Sequence, residues 1–157
     1  MSATAEERIA LARRGIELYD AGDLEGALEL LSPEIEVYAP PDLMNRGTFH
    51  GIDGFLRWTA EWNEAWELFD RQVLRVEAVG ERHAVAVVRE HGRGRGSGLE
   101  VETTAGYVFE LGEDGRCVYF ALHQDAEVAF AAAREREGLE GAGRSDGRSR
   151  STRRQGL

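Results

Sequence analysis

The segment Leu99-Glu-Val-Glu-Thr-Thr-Ala-Gly-Tyr-Val-Phe-Glu-Leu111 decides the fold of this chain. Its odd-numbered positions are mostly apolar, whereas its even-numbered positions include three glutamates. An alternation with a period of two indicates a β-strand that buries one face and exposes the other. Tyr107 and Phe109 lie on the apolar side, so we expect them to face the core.

Three further strands are predicted around this segment. The stretches 71–79 and 83–91 precede it, and Cys117 to His123 follow it. The glycine-rich stretch 92–98 is typical of a hairpin loop, because a phosphate-binding loop would have to open a helix and a strand follows here. Residues 112–115 form a second hairpin turn. The C-terminal half therefore predicts a meander of four strands.

Working outward towards the N-terminus, the pattern changes to helices. A capping box at Thr4 and Glu7 begins the first helix, and Gly22 ends it. Asp23 is a good N-cap for a short second helix, which ends at Ser32-Pro33 because proline disfavours helix at the preceding residue.

A strand at 34–39 and a loop at 40–51 come next, followed by a third helix at 52–68. Large aromatic residues recur along that helix at spacings of three and four: Phe55, Trp58, Trp62 and Trp66. A last helix or turn covers 125–137. Helices that precede a strand meander indicate an α+β fold. We expect a cone, in which a curved antiparallel or mixed sheet packs on three N-terminal helices and encloses a pocket.

Composition limits the classes of protein. The chain has 157 residues, a net charge of −10, 19 arginines and no lysine. Residues 1–137 hold 14 Arg against 27 acids, which predicts one acidic domain, and 138–157 hold 5 Arg against 2 acids. That Arg/Gly/Ser-rich tail has too few apolar residues to form a core, so we predict disorder. The absence of lysine excludes Schiff-base chemistry.

The same composition sets expectations about partners. An acidic surface repels phosphate backbones, so we expect no nucleic acid partner. No apolar stretch approaches the roughly 20 residues of a membrane helix, and the N-terminus lacks the layout of a signal peptide, which predicts a cytoplasmic protein without a membrane partner. Cys117 is the single cysteine and the four histidines lack metal-ligand spacing, so we expect no metal. We expect no cofactor.

Three stretches together resemble the nuclear transport factor 2-like superfamily, in its SnoaL-like branch. They are Tyr19-Asp-Ala-Gly-Asp-Leu-Glu-Gly-Ala-Leu-Glu-Leu-Leu-Ser-Pro-Glu-Ile-Glu-Val37, Gly51-Ile-Asp-Gly-Phe-Leu56 and Phe109-Glu-Leu-Gly-Glu-Asp-Gly-Arg116. The resemblance covers about residues 8–133. It implies an α+β cone, usually dimeric through the outer sheet face, with an apolar pocket. The superfamily includes polyketide cyclases, ketosteroid isomerases and limonene epoxide hydrolases, so fold does not determine the reaction.

The isomerase pattern matches poorly. Its catalytic positions fall on Gly15, Ala39 and Tyr107, so the base and one donor are missing. Tyr107 remains a possible hydrogen-bond donor.

The epoxide hydrolase pattern falls on Tyr38, Pro40, Arg89, His91 and Leu122, which keeps the tyrosine and arginine and loses both carboxylates. Imidazole titrates near neutrality, so His91 is a candidate replacement. The cyclases use an acid near the end of the sheet, where His123 is the titratable candidate besides Tyr119.

Our catalytic candidates are His91 as acid or base, Arg89 to orient it, and Tyr38, Tyr107 or His123 to polarise a carbonyl. Arg89 and His91 share a strand face with Val85 and Val87, and they reach the pocket if that face is the concave one. The alternative is that Arg89 forms a structural ion pair and His91 faces solvent.

Our pocket candidates are mostly aromatic: Tyr19, Tyr38, Trp58, Trp62, Phe109, Phe120 and Leu122. The alternative is that the tryptophans pack the core, as large aromatics at helical spacing usually do. Two arguments disagree about Tyr38. Strand alternation places its side chain on the face opposite Ile35 and Val37, whereas the resemblance places it in the pocket. A bulge would reconcile the two.

Two hypotheses for function follow. The first is a dimeric pocket protein that acts as an isomerase, cyclase or hydrolase on a small apolar, polyketide- or terpenoid-like molecule. The second is a non-catalytic module for ligand binding or dimeric interaction, favoured by the incomplete catalytic sets. A cavity on the order of several hundred cubic ångströms with converging polar groups would favour the first hypothesis. A pocket filled by its own side chains, with no cavity near Arg89, would favour the second.

Overall fold

The computed structural model describes residues 2–41, 43 and 46–138. Its elements are, in chain order, α1 (Ala5–Asp20), α2 (Leu24–Glu29), β1 (Leu31–Ala39), β2 (Gly47–His50), α3 (Gly51–Ala65), β3 (Trp66–Val79), β4 (His83–Gly94), β5 (Glu100–Leu111), β6 (Cys117–His123) and α4 (Ala126–Glu137). The predicted α+β class is confirmed. Within the described part of the chain, no helix is long and apolar enough to cross a membrane. Except for Gly138, the predicted tail at 138–157 lies outside the described residues.

The six strands form one curved mixed sheet in the order β2-β1-β6-β5-β4-β3. β1 runs parallel to β6, and the other neighbouring pairs are antiparallel. We call the face towards α1, α2 and α3 the inner face, and the face towards α4 the outer face. The inner face buries the larger apolar cluster, which includes Val37, Ala86, Tyr107, Phe109 and Leu122.

The N-terminal caps form as predicted. The Thr4 hydroxyl accepts from the Glu7 amide at 3.1 Å, and the Glu7 carboxylate accepts from the Thr4 amide at 2.9 Å. The Asp23 side chain accepts from the Gly26 amide at 2.9 Å and begins α2. Gly22 adopts a φ of 82°, which side chains disfavour, and so separates the two helices.

Several predicted boundaries are wrong: the second helix ends at Glu29 rather than at Ser32-Pro33, and β1 begins at Leu31 rather than at 34. The third helix ends at Ala65 rather than 68, and Trp66 is the first residue of β3. Trp66 still packs against the helix, and its ring centroid lies 5.7 Å from that of Trp62. The aromatic spacing therefore continues past Ala65, and the end of the helix cannot be recognised from it. The loop predicted at 40–51 also contains the edge strand β2, whose register pairs Val37 with Phe49.

The outer face is covered in part by α4. A small apolar cluster forms there between the sheet residues Val85, Val108 and Ala121 and the helix residues Ala129 and Ala133. Gly106 permits this contact, because a Cβ atom at that position would lie 2.4 Å from the Cβ of Ala129. Strands β4 and β5 are therefore covered on both faces.

The C-terminal end of α4 is held by an ionic group that we call the α4 latch, formed by His83, Glu110, Arg136 and Glu137. His83 is fully buried. Its Nδ1 lies 2.5 Å from Glu137 Oε2, and its Nε2 lies 3.1 Å from Glu110 Oε1. Arg136 donates to Glu110 at 2.8 Å. The latch joins the last turn of α4 to the start of β4 and to β5.

Candidate active site

A cavity of about 70 Å³ lies between the helices and the inner face of the sheet. Its wall is formed by Leu11, Gly15, Ile16, Tyr19, Ala27, Leu30, Leu31, Phe55, Trp58, Trp62, Arg71, Tyr107, Phe109, Cys117, Phe120 and Leu122. The wall is mainly apolar. The volume of the cavity is well below the roughly 300 Å³ typical of sites for drug-sized molecules. A ring-sized ligand therefore requires the side chains around it to move apart.

An aromatic wall forms one part of the lining. Trp58 and Trp62 stack with ring centroids 6.1 Å apart and an interplanar angle of 25°. Phe120 meets Trp58 edge-on at 5.7 Å and lies 5.1 Å from Phe109. These rings offer flat apolar surfaces that favour a flat apolar ligand.

Polar groups gather around Arg71, which β3 directs from the inner face into the cavity. Its guanidinium carbon lies 5.4 Å from the ring centre of Tyr19 and 5.8 Å from that of Tyr107. Its Nε lies 3.3 Å from Oδ1 of Asp20, the last residue of α1. The Arg71 side chain is 11 % exposed and that of Asp20 is 41 % exposed. The ion pair therefore runs from the cavity wall out to solvent.

Behind the wall, Glu90 on β4 accepts a hydrogen bond from the Tyr107 hydroxyl. Both residues are buried. Burial raises the pKa of Glu90, although the Tyr107 hydrogen bond and the charge of Arg71 oppose this shift. Burial also raises the pKa of Tyr107 well above its usual value, so this hydroxyl keeps its proton at neutral pH. We call Tyr19, Asp20, Arg71, Glu90 and Tyr107 the polar cluster.

Burial raises the pKa of Cys117, also on the cavity wall, to about 12. Its sulfur lies 3.2 Å from the carbonyl oxygen of Tyr119. A thiol that keeps its proton at neutral pH is a poor nucleophile, which removes thiolate chemistry from this cavity.

Seven of the sequence-predicted residues line the cavity: Tyr19, Trp58, Trp62, Tyr107, Phe109, Phe120 and Leu122. Tyr107, an expected donor, contacts both Glu90 and Arg71.

Arg89 and His91 lie elsewhere, and this corrects the sequence interpretation. Register pairs Arg89 with Thr104 and His91 with Glu102, on the outer side of the sheet. Arg89 is exposed, and His91 is partly exposed with its Nε2 3.1 Å from Glu100 Oε1. Because α4 also buries the outer face of this strand, apolar neighbours such as Val85 do not identify the inner face.

Tyr38 and His123 also lie on the outer face rather than in the cavity. Their ring centroids are 6.5 Å apart. Strand parity prevails at Tyr38, since the neighbouring Val37 is fully buried on the inner face. The irregularity in the β1–β6 pairing falls between Leu31 and Glu36, before Tyr38, so it does not turn this ring inward.

The sequence reasoning missed Asp20, Arg71 and Glu90. A signal for Glu90 was present, because the alternation in β5 identifies Tyr107 as inward-facing. The hairpin register pairs Tyr107 with Ala86, and Glu90 lies on the same strand face as Ala86. Nothing comparable marks Asp20 or Arg71, which lie far apart in the chain.

In the part of the chain that the structure describes, no group of three or more His, Cys, Asp or Glu side chains is placed to hold a metal ion. The histidines that the sequence placed among the candidates lie apart from the cavity.

Comparison with known proteins agrees with the architecture. A family model described as a SnoaL-like domain matches residues 12–120. No curated protein matches the chain significantly.

Solved structures show the same fold. An NTF2-like protein of unknown function from Burkholderia pseudomallei is 20% identical, with a TM-score of 0.68 over 78% of this chain and 93% of that one. A putative SnoaL-like polyketide cyclase from Jannaschia is 19% identical, with a TM-score of 0.63 over 85% and 95%. A Mycobacterium tuberculosis protein in complex with estradiol-17beta-hemisuccinate is 10% identical, with a TM-score of 0.61 over 81% and 97%.

Proposed function

This chain belongs to the SnoaL-like domain family, and we propose that it is an enzyme that binds a small apolar molecule in its cone and transfers a proton to an oxygen atom of that molecule. The reaction is an isomerisation, a cyclisation or a hydrolysis of a polyketide- or terpenoid-like substrate. The observation that carries this proposal is the hydrogen bond between cavity-lining Tyr107 and buried Glu90. Each of these reactions needs an acid at a substrate oxygen, in an enol, an aldol or an opened epoxide.

Tyr107 is the catalytic residue in this scheme, because it is the member of the Tyr107–Glu90 pair that lines the cavity. Glu90 acts through it. When the Glu90 carboxyl is protonated, it can donate to the Tyr107 oxygen, and the Tyr107 hydroxyl then donates to the substrate. When Glu90 is ionised, Tyr107 donates to Glu90 instead. The protonation state of Glu90 thus determines whether the proton of Tyr107 is available to the substrate.

Arg71 and Asp20 have supporting roles. Arg71 lines the cavity and supplies a positive charge near Tyr107, where negative charge would develop on a substrate oxygen. Asp20 is the partly exposed carboxylate of the polar cluster. It is our candidate for the base, the group that takes a proton from the substrate and so completes the proton transfer. Burial raises the pKa of Asp20, with the charge of Arg71 opposing the shift.

The comparisons support an apolar substrate. One structural neighbour is described as a putative polyketide cyclase, and another was solved in complex with estradiol-17beta-hemisuccinate, whose ring system is apolar. The aromatic wall supplies the kind of surface that such rings stack against.

We expect Glu90→Gln to lower turnover by about 10²- to 10⁴-fold, the usual contribution of a positioned acid. The substrates to assay are 2-tetralone, by deuterium exchange next to its carbonyl, and styrene oxide, by hydrolysis. Glutamine still accepts the Tyr107 hydrogen bond but cannot pass on a proton. The pH–rate profile of the wild type should therefore contain a limb from Glu90 that the variant lacks.

Glu102→Gln on the exposed part of β5 is the matched control and should turn over substrate at the wild-type rate. Failure of the wild type to accelerate either reaction would contradict the enzymatic proposal. A Glu90→Gln variant with the wild-type rate and pH profile would contradict the role of Glu90.

A non-catalytic binding module is the second candidate. The cavity volume of about 70 Å³ favours it, because little space is open to a substrate. Tyr107 also donates to Glu90, and Nε of Arg71 lies near Asp20, so these two contacts form without a ligand. Binding of an apolar probe without turnover in the assay above would select this alternative.

We also propose that the chain is a homodimer joined through the outer face of the sheet. α4 covers only part of that face, and Tyr38 and Arg89 lie on the remainder. Native mass spectrometry should detect a species of twice the chain mass at micromolar concentration. A single species with the mass of one chain would contradict the dimer.

A further inference from the structure

We propose that the cavity selects a neutral molecule that presents a carbonyl oxygen to the guanidinium group of Arg71, and that it discriminates against carboxylates. This inference rests on the proposed function, since it names the chemical class of the ligand that the same cavity takes. It follows from two properties of Arg71, its unused donors and its surrounding charges.

The donors of Arg71 point to a missing acceptor. The side chain is 89 % buried, and a guanidinium group carries five N–H donors. Its nearest acceptor is Asp20, at 3.3 Å from Nε. Among the residues that the structure describes, none accepts a hydrogen bond from Nη1 or Nη2 of Arg71. Neither nitrogen is among the buried side-chain atoms without a partner, so both are accessible beside the cavity that Arg71 lines. A charge-assisted hydrogen bond from one of them would stabilise a ligand oxygen there.

Aromatic rings hold the group in place. The guanidinium carbon lies 4.9 Å from the ring centre of Phe69 and also faces the rings of Tyr19 and Tyr107. These contacts compensate part of the charge but provide no oxygen along the N–H directions. Arg71 is therefore oriented before any ligand binds.

The charge balance decides between a neutral and an anionic ligand. Arg71 is the one cation of the polar cluster, and it is flanked by two carboxyl groups, Asp20 and Glu90. If Glu90 is ionised the cluster carries one net negative charge, and if it is protonated the cluster is neutral. In neither state is there positive charge in excess. A carboxylate would therefore add an uncompensated charge at a desolvated site, whereas a carbonyl oxygen would not.

The test compares three small probes of similar shape at neutral pH: acetophenone, benzoate and ethylbenzene. Binding is followed by ¹H–¹⁵N NMR at the tryptophan indole signals. Acetophenone and ethylbenzene differ chiefly in the carbonyl oxygen, so the ratio of their dissociation constants reports the contact to Arg71. Arg71→Met keeps an unbranched apolar side chain that reaches about as far as Nε and removes all the donors. Arg75→Met, on the same strand and 57 % exposed, is the matched control.

We expect Arg71→Met to reduce the preference for acetophenone over ethylbenzene by about tenfold or more, the usual size of a hydrogen bond from a charged donor. Arg75→Met should leave this ratio unchanged. Benzoate should bind the wild type more weakly than acetophenone. An unchanged ratio in Arg71→Met, or benzoate as the tightest ligand, would overturn the inference while leaving the proposed apolar site intact.

Failure of all three probes to bind the wild type would instead contradict the proposed function, and this inference with it.

If Arg71→Met does not fold, infrared spectroscopy of the wild type with bound carbonyl-labelled acetophenone tests the same contact. A carbonyl bonded to a guanidinium group absorbs at or below its frequency in water. A frequency close to that in hexane would overturn the inference.

Discussion

His83→Ala is expected to lower the free energy of unfolding by about 3 to 5 kcal/mol, the usual cost of breaking a buried ion pair. His83 is fully buried at the centre of the α4 latch. Both ring nitrogens contact a carboxylate: Nδ1 lies 2.5 Å from Glu137 and Nε2 lies 3.1 Å from Glu110. Alanine would leave both carboxylates without this partner and would open a space beneath the end of α4. Urea unfolding at neutral pH measures the change.

The matched control is His91→Ala. His91 also contacts a carboxylate, Glu100, at 3.1 Å, but this pair is exposed to solvent. Exposed ion pairs contribute little to stability. We therefore expect His91→Ala to unfold at nearly the wild-type urea concentration. Equal effects of the two substitutions would contradict the role assigned to the α4 latch.

The α4 latch also predicts the direction of the pH dependence. The hydrogen bond from His83 lowers the pKa of Glu110 from 4.5 to about 2. For Glu137, burial raises the pKa, but bonds from His83 and from the amides of Glu81 and Arg82 lower it more. Carboxyl groups with lowered folded-state pKa values stabilise the fold above their unfolded pKa. This stabilisation should be lost as the pH falls from about 4.5 towards 2, and His83→Ala should show a shallower loss.

Trp62→Ala is the second large change, with an expected cost of about 3 to 5 kcal/mol. Trp62 is 5% exposed. It stacks on Trp58 at 6.1 Å and meets Trp66 and Phe69 at 5.7 and 5.5 Å. Its removal joins new space to a cavity of about 70 Å³ whose lining is mainly apolar. The variant should therefore bind small apolar molecules more tightly than the wild type does.

Toluene tests the link between stability and binding. At one hundred times its dissociation constant, a ligand that binds only the folded state stabilises it by about 2.7 kcal/mol. Toluene should therefore raise the melting temperature of Trp62→Ala more than that of the wild type. Phe49→Ala, a buried aromatic position outside the cavity lining, is the control. A stabilisation of Phe49→Ala equal to that of Trp62→Ala would contradict binding in the enlarged cavity.

The local elements could be predicted because neighbouring residues determine them. The alternation in β5, the Thr4–Glu7 capping box and the Asp23 cap each depend on contacts a few residues apart in the chain. The end of α3 was misplaced because Trp66 packs like a helix residue while its backbone pairs with Gly94 of β4. Aromatic spacing does not distinguish these conformations.

The sequence by itself determined the α+β class, the helix caps, the strand meander and most of the aromatic part of the cavity wall, because periodicity and capping are local properties. Only the tertiary structure decided which face of β4 points inward. Both faces of that strand are covered, so Val85 and Ala86 are equally apolar and the sequence pattern carries no direction. Tertiary packing also brought Asp20, Arg71 and Glu90 to Tyr107. Four separate elements supply these side chains, and their proximity depends on sheet register and on the docking of α1.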